Sequence, residues 1–386
     1  MKLIQTILLA LSLITLDTAS ASASWIQRAD FGSIGRHRGM GISIGNKGYI
    51  GLGHYNGTGV NYVLADWWQY DPSTNSWTQK ADYIGNNGNG NYGVLSFGME
   101  QYGFVGGGQL ASNRNFYRYD PITNTWTQVE NTPTFVDNTA GFSIGTKGYY
   151  IDGNDVYEYD SQTDSWLEKN SAPFYISIWP STFTIDGKGY VKTNSGFWEY
   201  KPTLDLWTSR ASFPGFTTAG AVGFHQNNKG YIIGGYGGNL GNVNSETWEF
   251  NPATNTWTAR TEFYGTSRRF SSGFTIGNRA YIGTGTNGTN FNDFWEFDAL
   301  LGLEEMFDQN KFKCYPNPAV EYISFKSENL NEFDIVVYNT DGKVIKREST
   351  STNEVRIHRG RLIAGVYYYA VISKGQVVYK NKFIFQ

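Results

Sequence analysis

One pattern returns six times along this chain and leaves it little freedom in how to fold. A short aromatic segment comes first: Tyr49-Ile50-Gly51, Phe104-Val105-Gly106, Tyr149-Tyr150-Ile151, Tyr190-Val191-Lys192, Tyr231-Ile232-Ile233 and Tyr281-Ile282-Gly283. A second follows after a polar stretch: Trp68-Gln69-Tyr70-Asp71, Tyr117-Arg118-Tyr119-Asp120, Tyr157-Glu158-Tyr159-Asp160, Trp198-Glu199-Tyr200-Lys201, Trp248-Glu249-Phe250-Asn251 and Trp295-Glu296-Phe297-Asp298. Five repeats then pass through a polar turn into a tryptophan: Trp77, Trp126, Trp166, Trp207 or Trp257. The successive spacings are 49, 40, 41 and 50 residues.

A period of about 40 to 50 residues with Gly and aromatics at fixed places is that of a β-propeller blade. In the first repeat, strands are predicted at 39–44, 49–53 and 67–70, with a fourth carrying Trp77. The turn at 71–75 uses Pro72 to preset φ, and Asp71 and Asn75 to bond the local backbone. Glycine weakens a strand unless something large lies over its bare backbone, and the Trp and Tyr of the third and fourth strands are the expected cover. The sixth repeat stops at Asp298 without a fourth strand. Ser24-Trp25-Ile26-Gln27-Arg28-Ala29 matches Ser76-Trp77-Thr78-Gln79-Lys80-Ala81, so the N-terminal segment is expected to complete the last blade. Closure of the ring removes exposed sheet edges.

This grammar resembles the kelch-repeat family of β-propellers over residues 24–298. The resemblance is specific for fold and weak for function, because one propeller fold hosts many activities. The third and fourth repeats depart from it, with Asp152-Gly153 and Thr193-Asn194 at the usual Gly-Gly place.

The two ends of the chain carry other signals. Residues 1–23 hold Lys2, a short apolar run and small-x-small sites at Ala19-Ser20-Ala21 and Ala21-Ser22-Ala23, the pattern of a secretory signal peptide. The run is short of the ~20 residues a membrane span needs, and no transmembrane segment is expected in the mature chain. Cys314 is the single cysteine, so neither an internal disulfide nor a Cys-rich metal site can form. A net charge of −3 gives no basic footprint for nucleic acid.

Residues 299–311 break the repeat and read as a linker. Beyond them, over 312–386, short alternating runs predict a small β-sandwich, the all-β chain thus being a six-bladed propeller followed by an immunoglobulin-like module. Tyr315-Pro316-Asn317-Pro318, then Asp341-Gly342-Lys343, then Gly365-Val366-Tyr367, then Lys382-Phe383-Ile384 resemble the type A C-terminal sorting domain of the type IX secretion system. That family implies a Gram-negative bacterium of the Bacteroidetes group and an outer-membrane secretion machinery as partner, and with it a secreted or surface-displayed passenger. Its motif falls here on Pro316, Asn317, Pro318, Asp341, Gly342, Lys343, Gly365, Tyr367 and Lys382. Tyr322 stands where the family usually has Leu.

Chemistry is harder to find. A copper-radical oxidase, an activity known on kelch propellers, needs paired His and Tyr ligands and a Cys–Tyr cross-link. Only His37, His54, His225 and His358 are present, and Cys314 lies outside the repeats. Glycoside hydrolysis needs two nearby carboxylates, but Glu158, Glu199, Glu249 and Glu296 recur at one blade position, as structural residues do. A mutarotase-like charged pair has no local motif to test it. No nucleophile elbow is present, and the Gly/Asn run at 85–91 lacks the Lys and helix of a phosphate loop. No catalytic residue, cofactor or metal ligand is assigned.

The expected role is a binding module for carbohydrate or protein at the cell surface, the alternative being a carbohydrate-active enzyme, mutarotase- or hydrolase-like, using the propeller mouth. Turns on one face are short and alike, whereas the opposite face carries long, unlike loops and the segments between blades. That face supplies the candidate site: Arg36, His37, Arg38, His54, Tyr55, Arg114, Trp179, Tyr236, Arg268 and Arg269. The competing reading is that these arginines pair with neighbouring acids.

Overall fold

The computed structural model describes residues 22–110, 114–137, 139–302, 312–339, 344–373 and 376–386. Most of the expected signal peptide and linker, and Asp341, Gly342 and Lys343, lie outside them. The chain divides into two compact units, Ala23–Leu301 and Gly302–Gln386.

Six four-stranded sheets make the first unit. Their innermost strands are Met40–Ile44, Leu95–Gly98, Ala140–Ile144, Ser181–Ile185, Val222–Gln226 and Ser272–Ile276. Each packs against the innermost strands of both neighbouring sheets, so the ring is closed. The period-2 alternation of these strands divides their side chains. Met40, Ile42 and Ile44 are buried between blades, while Gly41 and Ser43 line the central channel. In the sixth sheet, Phe294–Gly302 pairs on its outer side with Ser22–Gln27, the chain's first strand. The N-terminal segment thus supplies the strand that the sixth repeat lacks. Phe294–Gly302 also runs past Asp298 into the stretch expected as linker.

Blades meet over glycine. A Cβ added at Gly48 would lie 2.0 Å from the Phe274 ring of the preceding blade. The same approach recurs at Gly148 under Phe97 (2.2 Å), Gly189 under Phe142 (2.3 Å) and Gly230 under Phe183 (2.1 Å). An innermost-strand aromatic of one blade therefore lies on the bare second strand of the next. Gly51 is covered from within its own sheet by Trp67.

The Asn-x-Trp turn works as a clamp as well as a local turn. Asn75 Oδ1 accepts from Tyr70 Oη (2.8 Å) and from the Ala29 amide of the preceding blade (3.0 Å), while Trp77 Nε1 donates to Ala29 O (3.1 Å). Both polar groups of one peptide residue are held by one turn. The arrangement repeats with Asn124 and Trp126 on Ala81, Asp164 and Trp166 on Glu130, and Asn255 and Trp257 on Ala211. This satisfies backbone groups that would otherwise be stranded between sheets.

The second unit is a β-sandwich. Phe312–Tyr315, Tyr322–Ser327 and Glu354–His358 form one sheet, and Val344–Thr350, Phe333–Tyr338, Gly365–Ser373 and Gln376–Phe385 the other. Phe325, Ile335, Val337, Tyr369 and Phe383 fill the space between them.

Candidate ligand site at the propeller mouth

Just ahead of four innermost strands the backbone turns left-handed: Arg38 (φ 54°), Gly93 (65°), Gly220 (68°) and Phe270 (57°). For Arg38 and Phe270 this costs about 1–2 kcal/mol each. It lets peptide groups link blade to blade around the channel. Gly220 N–H donates to Trp179 O (3.1 Å), Phe270 N–H to Gly220 O (2.8 Å), Arg38 N–H to Phe270 O (3.1 Å) and Gly93 N–H to Arg38 O (3.1 Å). This belt runs through the fourth, fifth, sixth, first and second blades. Beyond it lies a channel of about 330 Å³, walled by Gly, Ser and Thr of the innermost strands together with His225. No carboxylate is among its described lining residues.

Phe270 is the hub of the mouth. The Arg38 guanidinium lies 4.6 Å from its ring centroid, 5.4 Å from Trp179 and 6.0 Å from Tyr92. Arg269 approaches the same Phe270 ring at 5.6 Å. Trp179 and Tyr236 pack on Phe270 at 5.0 and 5.7 Å. Burial holds Arg38 below the ordinary arginine range, and burial together with the Arg38 charge does the same to Arg269. His37 and His54 continue the cluster, their rings 5.0 Å apart, with His54 stacked on Tyr92 at 4.9 Å. Burial lowers His37 to about 4, Arg38 and the other nearby cations adding to the effect, so its imidazole is neutral near pH 7. His37 Nε2 pairs with Asn56 Oδ1 (3.1 Å) and His54 Nε2 with Asn61 Oδ1. The stretch expected as a loop after His54 is a hairpin, His54–Gly57 with Val60–Val63, on which Tyr55 faces Tyr62.

The structure thus brings together His37, Arg38, His54, Trp179, Tyr236 and Arg269. Arg36 and Arg268 are placed elsewhere. Both are buried. Arg36 forks onto both carboxylate oxygens of Asp66 and onto Leu52 O, and Arg268 does the same with Asp293 and Thr284 O. Burial alone would raise the Asp66 carboxyl, but Arg36, Ser33 and Trp68 carry it below the usual carboxylate range. These two arginines hold adjoining blades and offer nothing to a ligand. Arg114 is exposed and donates to Pro133 O (2.8 Å). Phe270 and Tyr92 were not among the sequence candidates. Setting Arg36-His37-Arg38 against Arg268-Arg269-Phe270 in register would have pointed to Phe270.

The recurrent glutamates are engaged in the blades. Glu199 accepts from Tyr190 and Arg210, Glu249 from Tyr231 and Arg260, Glu296 from Arg28, and Glu158 pairs with Lys147 and Lys169. No group of three or more His, Cys, Asp or Glu placed to hold a metal ion occurs among the described residues. In the second unit, Asn317 Oδ1 accepts from the Ile384 amide (3.0 Å). Gly365 and Tyr367 stand opposite Phe385 and Phe383, and Lys382 opposite Tyr368. The described motif residues Asn317, Gly365, Tyr367 and Lys382 therefore gather along the final strand, Gln376–Phe385.

Fold and sequence together define a six-bladed β-propeller followed by an export domain. Residues 313–386 match the family described as the secretion system C-terminal sorting domain. This indicates export by the type IX secretion system, to the medium or the cell surface of a Gram-negative bacterium. The propeller is similar to the solved structure of YjhT, a kelch-type β-propeller-like fold. The two are 15% identical, with a TM-score of 0.59, over 69% of this chain and 95% of that one. At that identity the likeness speaks for fold alone. No curated protein matches the chain.

Proposed function

We propose that this protein is an exported binding module whose propeller takes a carbohydrate at the mouth on the loop side. The observation that carries the reading is the cluster around the buried Phe270, where the part-exposed Trp179 and Tyr92 offer ring faces beside arginine and imidazole groups. Flat aromatic faces with a few convergent polar groups are what a sugar ring needs. A mouth bounded by loops of unlike length suits selection of one ligand shape. The channel walls, small and free of carboxylates among the described residues, offer no acid–base pair for glycoside hydrolysis.

A glycan array followed by thermal shift on the full chain tests this. A true ligand at 100 times its Kd adds about 2.7 kcal/mol of stability. Trp179→Ala should abolish the shift, with a modest fall in the unliganded melting temperature because the ring also packs on Phe270. Binding that survives Trp179→Ala, or binding only to protein partners, would overturn the assignment.

A further inference from the structure

Six propeller arginines, Arg28, Arg36, Arg210, Arg260, Arg268 and Arg279, each form an ion pair with a carboxylate. Of the other four, Arg114 donates to Pro133 O, Arg118 lies over the Tyr102 ring, and Arg38 and Arg269 stand at the mouth. Neither Arg38 nor Arg269 forms an ion pair among the described residues, although both are shielded from solvent in part. Arg38 Nε and Arg269 Nε and Nη1 are buried donors without a partner. Asp137 and the Tyr92 and Tyr236 hydroxyls act on Arg38 only through space, and Arg38 and Arg269 repel one another. His37 Nδ1 and His54 Nδ1 are also buried without partners. Buried donors left unmade cost free energy, and two like charges over one phenylalanine ring add to that cost. A guanidinium fork satisfies such donors best with an oxyanion.

We infer that the mouth selects an acidic glycan, the Arg38 and Arg269 guanidinium groups receiving a ring-borne oxyanion, either a uronate carboxylate or a sulfate ester, while the part-exposed Trp179 ring holds the sugar face. This rests on the glycan-binding reading above and narrows it to charged ligands. The ring-bearing part of the ligand is argued from the aromatic walls, and the charge from the unpaired donors. An acidic peptide would use the second and leave the first idle.

The test is calorimetric titration of the full chain with tetragalacturonate, its carboxyl-reduced neutral counterpart, a sulfated carrageenan tetrasaccharide and tetraglutamate. One of the two acidic glycans should bind at least about tenfold tighter than the neutral counterpart, with affinity falling as salt is raised. Which of the two binds identifies the oxyanion. Arg38→Gln and Arg269→Gln should each weaken that binding by about tenfold or more. Arg347→Gln, an exposed charge in the sorting domain, should leave it unchanged. Neutral and acidic glycans binding alike, with Arg38→Gln silent, would overturn the acidic assignment and leave the glycan reading standing. Binding of tetraglutamate in preference, or of no glycan, would overturn both.

Discussion

Trp25→Ala tests whether the ring is held shut by its first strand. Trp25 is 4% exposed and packs on Phe263 and Phe297, each at 4.8 Å. Its Nε1 has no partner, so the substitution removes packing and no hydrogen bond. Truncating a buried Trp costs about 3–5 kcal/mol, the cavity included. For a propeller unit running from Ala23 to Leu301, each kcal/mol moves the melting temperature by about 2 °C, so a fall of about 6–10 °C is expected. All 12 tryptophans lie between Trp25 and Trp295, so tryptophan fluorescence, excited where tyrosine does not absorb, reports the propeller alone. The segment after Trp25 also carries the Arg28–Glu296 ion pair and the Ala29 peptide clamped by Asn75 and Trp77. One short stretch thus ties the last blade to the first. Loss there should lower the whole fluorescence transition as one step. A midpoint within about 2 °C of wild type, or a small early transition with the main one unmoved, would refute closure as a source of global stability.

Three further outcomes follow from the same contacts. Arg36→Met or Arg268→Met leaves a carboxylate inside a blade interface and should cost about 3 kcal/mol; thermal melts of R36M and the double variant R36M/D66L should show substantial recovery in the latter, and equal melts for wild type and R36M would contradict the structural role. His37 is neutral in the fold with a value of about 4 against 6.5 when free, so the unfolded chain binds the extra proton between those values. Stability should therefore fall as pH drops from about 6.5 to about 4, by up to about 3 kcal/mol, and denaturant titrations of H37Q should show a flatter slope there, His225 contributing in the same direction. Removing residues 313–386 should leave a propeller with its native fluorescence transition that accumulates in the periplasm, and its appearance in the culture medium or on the cell surface would contradict export through the sorting domain.

The ring was legible in the sequence because each of its devices is written several times. Tyr70, Asn75 and Trp77 recur as Tyr119, Asn124 and Trp126, and one geometry explains every copy. Even the closing strand could be read, since Trp25 and Ala29 repeat Trp77 and Ala81. What one copy cannot reveal is reach. The turn residue expected to bond only its own backbone also clamps the preceding sheet, because blade packing brings Asn75 to Ala29, 46 residues away. The hairpin after His54 escaped because its Asn and Gly content reads as loop.

The mouth was legible only in part, for the opposite reason. Its residues are spread unevenly over several blades, and only Arg36-His37-Arg38 and Arg268-Arg269-Phe270 echo one another. Arg36 and Arg38 look alike in the chain, as do Arg268 and Arg269, and only the fold separates their fates. The separation has a cause that the sequence does contain. An acid stands two residues before the third-strand tryptophan in Asp66-Trp67-Trp68 and again in Asp293-Phe294-Trp295. Each acid takes both its tryptophan's indole N–H and the arginine that lies 30 or 25 residues upstream. One carboxylate is provided at each of these two junctions, and the first arginine of each pair takes it. The second, Arg38 or Arg269, is carried onto the mouth with aromatic rings for neighbours and, among the described residues, no ion pair. The same repeat that builds the blades thus leaves two cations over at the channel entrance, which is where a ligand's charge can meet them.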